Sequence, residues 1–380
     1  MGITVVPKER DETSDVSRLE IKFPRGSVES PSRFITKVDL NAKDGIGADI
    51  PLSRTRKLFL YEEFINTNKI ERILNGNGYL GVFQTNFRNS LSRVERSDAL
   101  RLVYPKFTKD GLDTMASIGE SNRNRVWEVF FQLISELSTG RDVIDGFLVQ
   151  YDHLTQAAKS YIATQDLPFI PTINIHGDYH VVSRQLDSYA SLPSSLVPFI
   201  GLSYSTISRS NLAYQKAISM LDSLHESGKG FITTDSPRVS GKGVFDPEVS
   251  ALHYSNFIVA DLVSERAYSG GGDGMPNVRL FEKGDLAVPA LDGIHNADEH
   301  SGEDGFLQED PKLRKLLNDI FQGTISAKDY SKSAYLSRVH ENIISGEEYA
   351  NMRKSIANNE LLYYRREKHR INAMLQQEKR

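Results

Sequence analysis

The feature that most constrains this chain is a repeat of element type rather than of residues. From Asp145 onward, short apolar runs rich in β-branched and aromatic residues alternate with amphipathic helical stretches. A parallel sheet with crossover helices writes that alternation into a sequence. The runs are 146–151, 169–175, 196–200, 230–234 and 256–260, each too short for a buried helix. Helices are predicted over 155–164, 181–191 and 211–226, the last stopped by Gly228 as a C-terminal glycine stops a helix. Earlier strand candidates, 32–38 and 79–85, flank a helix predicted over 58–75. Seven strand segments, with no Gly-x-Gly-x-x-Gly after any of them, favour a (β/α)8 TIM-type barrel of the α/β class over a doubly wound sheet.

The barrel is expected over 21–300, after a polar N-terminal arm at 1–20, with a helical insertion at about 86–144 and a helical C-terminal extension at 301–380. At 380 residues, 39% hydrophobic and 25% charged, the chain has enough apolar surface to bury such a core. A net charge of −4, from 46 basic and 50 acidic side chains, excludes a wholly basic nucleic-acid coat. The absence of cysteine excludes disulfide scaffolds, thiolate zinc sites, cysteine-ligated iron–sulfur clusters and cysteine nucleophiles. No basic segment followed by an apolar stretch opens the chain, and no run approaches the roughly 18 apolar residues of a membrane span, so a soluble, intracellular protein with no membrane partner is expected. The tail 352–380 is different: eight Lys or Arg and His369 stand against three Glu, with Tyr363 and Tyr364 interleaved. Its Arg365, Arg366, Lys368 and Arg370 suit either a solvated helix face or contact with a phosphate backbone.

In a parallel barrel the residues just beyond each strand converge on one mouth, so polar groups there are the candidates for chemistry. They are Asp39, Asp152, His176, Asp178, His180, Asp235 and Asp261. Asp261 follows an apolar run and precedes Arg266 and the glycine-rich stretch 269–276, which suits either a carboxylate nucleophile or an Arg-paired structural acid. Asp152 can accept two adjacent N–H donors, as the edge of a guanine-like heterocycle offers, or cap the helix that follows. His176, Asp178 and His180 place two imidazoles and a carboxylate within five residues, a fragment of a divalent-metal site whose spacing fits no zinc motif. Walker A, nucleophile-elbow and His-Glu-x-x-His patterns do not occur.

Taken in order, several segments resemble the tRNA-guanine transglycosylases and their relatives that insert 7-deazaguanines into DNA. Gly-Ser-Val-Glu-Ser-Pro-Ser-Arg-Phe-Ile at 26–35 resembles the family's opening strand, and Gly-Val-Phe-Gln at 81–84 the end of its Ser-Gly-Gly-Phe-Gln segment. Tyr151-Asp152 sits where the family places a base-recognising Asp. Ile175-His-Gly-Asp-Tyr179 falls where Gln-Gly-Gly-x-Tyr would be, and 199–203 resembles the Ile-Gly-Gly-Leu strand. Ala260-Asp-Leu-Val-Ser-Glu-Arg266 is similar to the segment that carries the nucleophile. The likeness covers 25–275. It departs at His176, which replaces the Gln, at the single Gly201 before Leu202, and at Tyr79, which stands where the general-base Asp is expected. The base is thereby unassigned, with Asp39 at a neighbouring strand tip as the candidate substitute. The family's Cys-rich zinc site is missing, which suits the DNA-modifying members better than the tRNA enzymes.

What the resemblance implies is a transglycosylase exchanging guanine in a polynucleotide, DNA favoured over tRNA, for a 7-deazaguanine such as preQ0. Asp261 would be the covalent nucleophile. Asp152, His176, Gly177, Gly201 and Leu202 would hold the base, and Arg266 with the basic tail would contact nucleic acid. No redox or nucleotide cofactor and no metal are expected, and the oligomeric state is open. Two other readings stand beside it: a metal-dependent barrel hydrolase using His176, Asp178, His180 and Asp261, and a non-catalytic nucleic-acid-binding protein working through its tail.

Overall fold

The computed structural model describes residues 2–12, 16–47, 57–76, 78–94, 98–139, 143–164, 166–203, 211–235, 249–264, 280–286, 311–322, 324 and 330–377. Three strands, β1 (Thr4–Arg10), β2 (Ser17–Phe23) and β3 (Gly26–Glu29), form an antiparallel sheet. The segments β4 (Ser32–Arg33), β5 (Ile35–Thr36), β6 (Leu58–Ile65), β7 (Leu100–Phe107), β8 (Gly146–Val149), β9 (Phe169–Asn174), β10 (Phe199–Ser203), β11 (Gly230–Asp235) and β12 (Leu262–Val263) form a parallel sheet. Their order is β4-β12-β11-β10-β9-β8-β7-β6-β5. Only Phe34 separates β4 from β5, and its N–H donates to Val263 O at 2.8 Å. The two end segments are therefore one strand shared by both edges, and the sheet closes as a barrel of eight strands, the expected TIM-type architecture.

Alternation along each strand builds two cores. Leu58, Leu60, Leu100, Leu102, Leu148, Ile170, Phe199, Ile232 and Leu262 face into the barrel. Their cluster continues into Ile3, Val5, Leu19, Ile21 and Phe23, so the antiparallel sheet plugs the end where the barrel strands begin. Phe59, Tyr61, Val103, Phe147 and Ile173 face outward against the helices. These are α1 (Lys37–Ile46), α2 (Thr67–Leu74), α3 (Tyr79–Ser92), α4 (Lys109–Ser117), α5 (Glu120–Thr139), α6 (Gln156–Ala163), α7 (Tyr179–Ser191), α8 (Leu212–Ser219), α9 (Leu221–Glu226) and α10 (Ala251–Ile258). Beyond them come α11 (Pro311–Phe321), α12 (Tyr330–Ala357), α13 (Leu361–Glu367) and α14 (His369–Gln377).

Five expectations change. The arm at 1–20 contains β1 and most of β2. The stretch 58–75 is not one helix but β6, then α2, with Asn66 capping α2 by accepting from Lys69 N. The stretch 79–85 belongs to α3, not to a strand. The region 86–144 is no insertion, because it carries β7 and the helices that return from it, a regular barrel unit. The run 256–260 is the end of α10 and the turn after it, and the strand that follows is β12.

The C-terminal helices are part of the barrel wall. Glu341 of α12 lies 3.5 Å from Arg33 Nη1, and Arg353 donates to Pro31 O at 2.9 Å, so α12 runs down the outside of β4. No helix among the described residues is long and apolar enough to cross a membrane.

Candidate active site

All eight strands run the same way, so each polar residue can be assigned to the mouth or to the opposite end. Asp261 stands at the start of β12. Its Oδ2 accepts from the N–H of Phe231, the second residue of β11, at 2.8 Å, and its Oδ1 lies 3.0 Å from His225 Nε2. Both partners belong to the plugged end. Burial opposes charge on the His225 ring, yet the Asp261 carboxylate, by charge and by hydrogen bond, raises the imidazole pKa above its ordinary value. The placement of Asp261 at the mouth is therefore corrected: with 256–260 helical rather than extended, it precedes its strand instead of following it.

Asp39 does sit near the mouth end, as the third residue of α1, but it is consumed there. Its Oδ2 accepts from Thr36 N at 2.7 Å and Thr36 Oγ1 at 2.9 Å, completing a capping box. Its Oδ1 accepts from Arg338 Nε and Asn342 Nδ2, each at 2.7 Å, and lies 3.4 Å from Arg33 Nη2. Burial works against ionisation, but Arg338 and Arg33, with the Thr36 N–H and Asn342, hold the carboxyl far below the usual carboxylate range. Such a group is a permanent anion gluing α12 to α1, and a poor general base.

Other strand-tip residues divide between caps and exposed rim. Asp178 caps α7 by accepting from Val181 N at 3.1 Å. Asp152, in a short turn after β8, is exposed, and its Oδ1 accepts from the Tyr189 hydroxyl of α7 at 3.0 Å, which turns it toward the helix layer. His176, Gly177's neighbour, is exposed beyond β9, as is His180. Gly201 sits inside β10 against Thr172, where a Cβ would come within 2.7 Å of Thr172 Cγ2, and Leu202 is buried in the outer core. Neither reaches the rim. His176, Asp178 and His180 do not converge with Asp261, and no group of three or more His, Asp or Glu among the described residues is arranged to hold a metal ion.

The basic tail is also not at the mouth. Leu361 N donates to Asp11 just beyond β1, so α13 packs at the plugged end. Lys368 is buried, 2.9 Å from Glu348, and Arg370 lies 3.6 Å from Asp285. Arg365 is half-buried and Arg366 exposed. Arg266 and the glycine-rich stretch 269–276 lie outside the described residues.

What the mouth does hold comes from two strands that the sequence pattern hid, β6 and β7. Glu62 follows Leu58 and Leu60 on the inward face of β6, and Lys106 follows Leu102 and Tyr104 on the inward face of β7. Glu62 Oε1 lies 3.9 Å from Lys106 Nζ, with both side chains largely buried. Lys106 Nζ also sits 5.5 Å from the Phe64 ring centre and 5.7 Å from that of Tyr104. Tyr104 and Thr172 share a hydrogen bond of 3.2 Å across the lumen. By the same alternation Thr234 follows Ile232 and Ser264 follows Leu262, and the hydroxyls of both are buried without a hydrogen-bond partner among the described residues.

Beside this layer a cavity of about 460 Å³ opens over β6, walled by α1, α2 and α3 and lined by both Glu62 and Glu63. Glu63 faces the helices. It accepts from the Tyr61 hydroxyl at 3.2 Å, contacts Lys69 and lies 3.9 Å from Lys37. Chemically the mouth offers a carboxylate beside an ammonium group, two hydroxyls without a partner among the described residues, and an open approach, which is the equipment for nucleophilic or acid–base catalysis. In comparisons with known proteins the chain matches no family model and no curated protein.

Proposed function

We propose that this chain is a barrel enzyme exchanging a nucleobase on the glycosidic carbon of a polynucleotide, guanine for a 7-deazaguanine, with Glu62 as its mouth carboxylate and Lys106 as its proton carrier. The observation that carries the reading is the Glu62–Lys106 pair, 3.9 Å apart on the inward face at the mouth and open to the adjoining cavity. The order of segments over 25–275 supplies the reaction class. Asp261 has no part in this version, because it is bonded at the far end of the barrel.

In the reaction, a flipped guanosine presents its sugar to Glu62. The carboxylate forms a bond to C1′ as the C1′–N9 bond breaks, and the departing guanine takes a proton from the Lys106 ammonium group. The incoming 7-deazaguanine gives its N9 proton to the Lys106 amine and attacks C1′, releasing Glu62 with retained configuration. Asp152 and His176, exposed beyond β8 and β9, are the base-edge contacts in this reading. DNA is the favoured polymer, since the chain has no cysteine with which to build the tRNA enzymes' zinc site.

The test is incubation of the full chain with labelled guanine or labelled preQ0 and, separately, DNA and tRNA. Label is expected in DNA, lost in Glu62→Gln and retained in Asp261→Asn. Absence of label from both polymers overturns the reaction class. Full exchange by Glu62→Gln, with loss in a folded Asp261→Asn protein, returns the covalent role to Asp261.

A further inference from the structure

The cavity over β6 carries features that the reaction at Glu62 does not use, and they lie on the helices rather than on the strand. Arg72, in the last turn of α2, lines the cavity, is exposed, and has no hydrogen-bond or ion-pair partner among the described residues. Tyr79, the first residue of α3, is only 4% exposed, and its hydroxyl is buried without a partner among the described residues. Burial first, and then the neighbouring Glu63 charge, raises that hydroxyl's pKa above its ordinary value, so it stays a donor at any physiological pH. A buried hydroxyl left unsatisfied is costly to the fold, and its presence beside an open cavity marks a place where a ligand atom completes the bonding.

The charge balance selects the ligand. Lys37, Lys69 and Arg72 line the cavity together with Glu62 and Glu63. Glu63 is already shared between Lys37 and Lys69, and Glu62 leans on Lys106 outside the lining, so Arg72 is left as an uncompensated cation. Asn86 lines the same wall, seven residues and about two helical turns on from Tyr79 along the same face of α3. Donors on α2 and α3 therefore line one cavity, and a guanidinium beside hydroxyl and amide donors suits an oxyanion. The uncapped start of α3, at Gly78, adds a favourable dipole for negative charge. A volume of about 460 Å³ exceeds what a bare anion fills, and the Val82 side chain and Tyr79 ring supply an apolar wall for an organic body.

We infer that this cavity is a phosphate-binding site, with Arg72 and Tyr79 as its principal donors, that receives the phosphate group of a nucleotide-sized ester or of a polynucleotide backbone. It stands on its own geometry and does not depend on the chemistry assigned to Glu62.

The experiment is calorimetric titration of the full chain, without turnover, with inorganic phosphate, deoxyguanosine monophosphate and a short single-stranded oligodeoxynucleotide. Binding that is competed by inorganic phosphate is expected. Arg72→Gln should weaken it about tenfold or more, as loss of a charge-assisted hydrogen bond implies, and Tyr79→Phe by less. Tyr79→Phe keeps the ring that packs on Phe83 and Phe130, so an unchanged thermal melt certifies its fold. Arg72-dependent binding of the mononucleotide assigns the site to a small ester. Dependence seen with the oligonucleotide alone assigns it to the backbone. No binding of any of the three at millimolar concentration, or binding that neither substitution changes, overturns the assignment. A chain that binds phosphate but exchanges no base would keep this site and lose only the reaction proposed above.

Discussion

The two ends of this barrel are built from the same strands and finished in opposite ways. Where the strands begin, charged side chains are paired within the chain. Asp261 holds the Phe231 N–H and His225, and Asp145 holds the Arg101 N–H and Arg25. Lys229 caps the end of α7 through three backbone carbonyls, and the β1–β3 sheet covers the opening. Where the strands end, the hydroxyls of Tyr79, Thr234 and Ser264 and the guanidinium of Arg72 have no partner among the described residues. The closed end pairs its charged side chains with one another and with the backbone, whereas the open end keeps buried hydroxyls and an exposed guanidinium without a partner among the described residues, a difference that fits an end reserved for something outside the chain.

The sharpest way to break that contrast is to exchange carboxylates between roles. Glu62→Gln should lower base exchange by about four orders of magnitude, the scale seen when a covalent or acid–base group is removed, with little change in melting temperature. Asp261→Asn should do the reverse, leaving the rate within about threefold while lowering stability by about 1–3 kcal/mol through loss of a buried charged hydrogen-bond acceptor. Paired rate and denaturation measurements on both variants decide it. If Asp261→Asn is the inactive and stable one, the assignment of the two ends is inverted.

Smaller effects come from glycines. A Cβ on Gly230 would meet Asp261 Oδ2 at 2.6 Å and the Phe199 ring at 3.1 Å, at the plugged end where neither has room to move. Gly230→Ala should destabilise by about 1–3 kcal/mol, the ordinary cost of overpacking. Gly81, in α3 on the open side, has nothing near its Cβ position. Gly81→Ala should therefore stabilise by about 0.5–1 kcal/mol through helix propensity. Urea unfolding of the two variants reads both signs.

The His225–Asp261 pair gives the plugged end a pH signature. Its raised imidazole pKa means the folded state holds the proton more tightly than the unfolded chain does. The added stability is complete below the ordinary histidine pKa, about 6.5, and disappears as pH rises through the higher folded value. Asp222 and Arg10, on elements packed beside the ring, carry charge there as well, so the variant to compare is His225→Gln with both kept. Melting temperature should fall between pH 6 and pH 8 in the parent and vary less in the variant. Equal slopes would remove the pair from the account.

These ends were unequally legible from the sequence, and the reason is physical. Strands β8, β9 and β11 are short runs buried on both faces, so apolar continuity marked them, and Thr155, Asp178 and Asn211 announce α6, α7 and α8 as N-caps. Strand β6 was mistaken for the start of a helix because Glu62 and Glu63 interrupt its apolar run, and β7 was passed over because Pro105 and Lys106 interrupt another. Those interruptions are the mouth residues. A strand that carries a site breaks the pattern by which strands are recognised, so the most informative elements were the least visible. Asp261 was misplaced by the converse error: 256–260 is apolar enough to pass for a strand, and reading helix as strand moved the carboxylate from one end of the barrel to the other. Among the other strand-tip acids, Asp178 is an N-cap and Asp39 completes a capping box, because a chain turning from strand into helix needs an acceptor there whether or not it does chemistry.

The mildest effect is the most discriminating. Thr234, on β11, and Ser264, just after β12, follow the paired residues Thr233 and Val263, and each has a buried hydroxyl with no hydrogen-bond partner among the described residues. If they were structural, removing a hydroxyl would cost stability. Because no hydrogen bond is lost and an unsolvated polar atom is removed, Thr234→Val and Ser264→Ala should leave unfolding free energy unchanged or raise it by about 0.5–1 kcal/mol. If a bound substrate satisfies these hydroxyls, each substitution should also weaken substrate binding by about threefold to tenfold. A stability gain coupled to an affinity loss is what an end reserved for a ligand must show. A stability loss at either position would mean that these hydroxyls serve the fold, and the two ends of the barrel would differ less than their bonding implies.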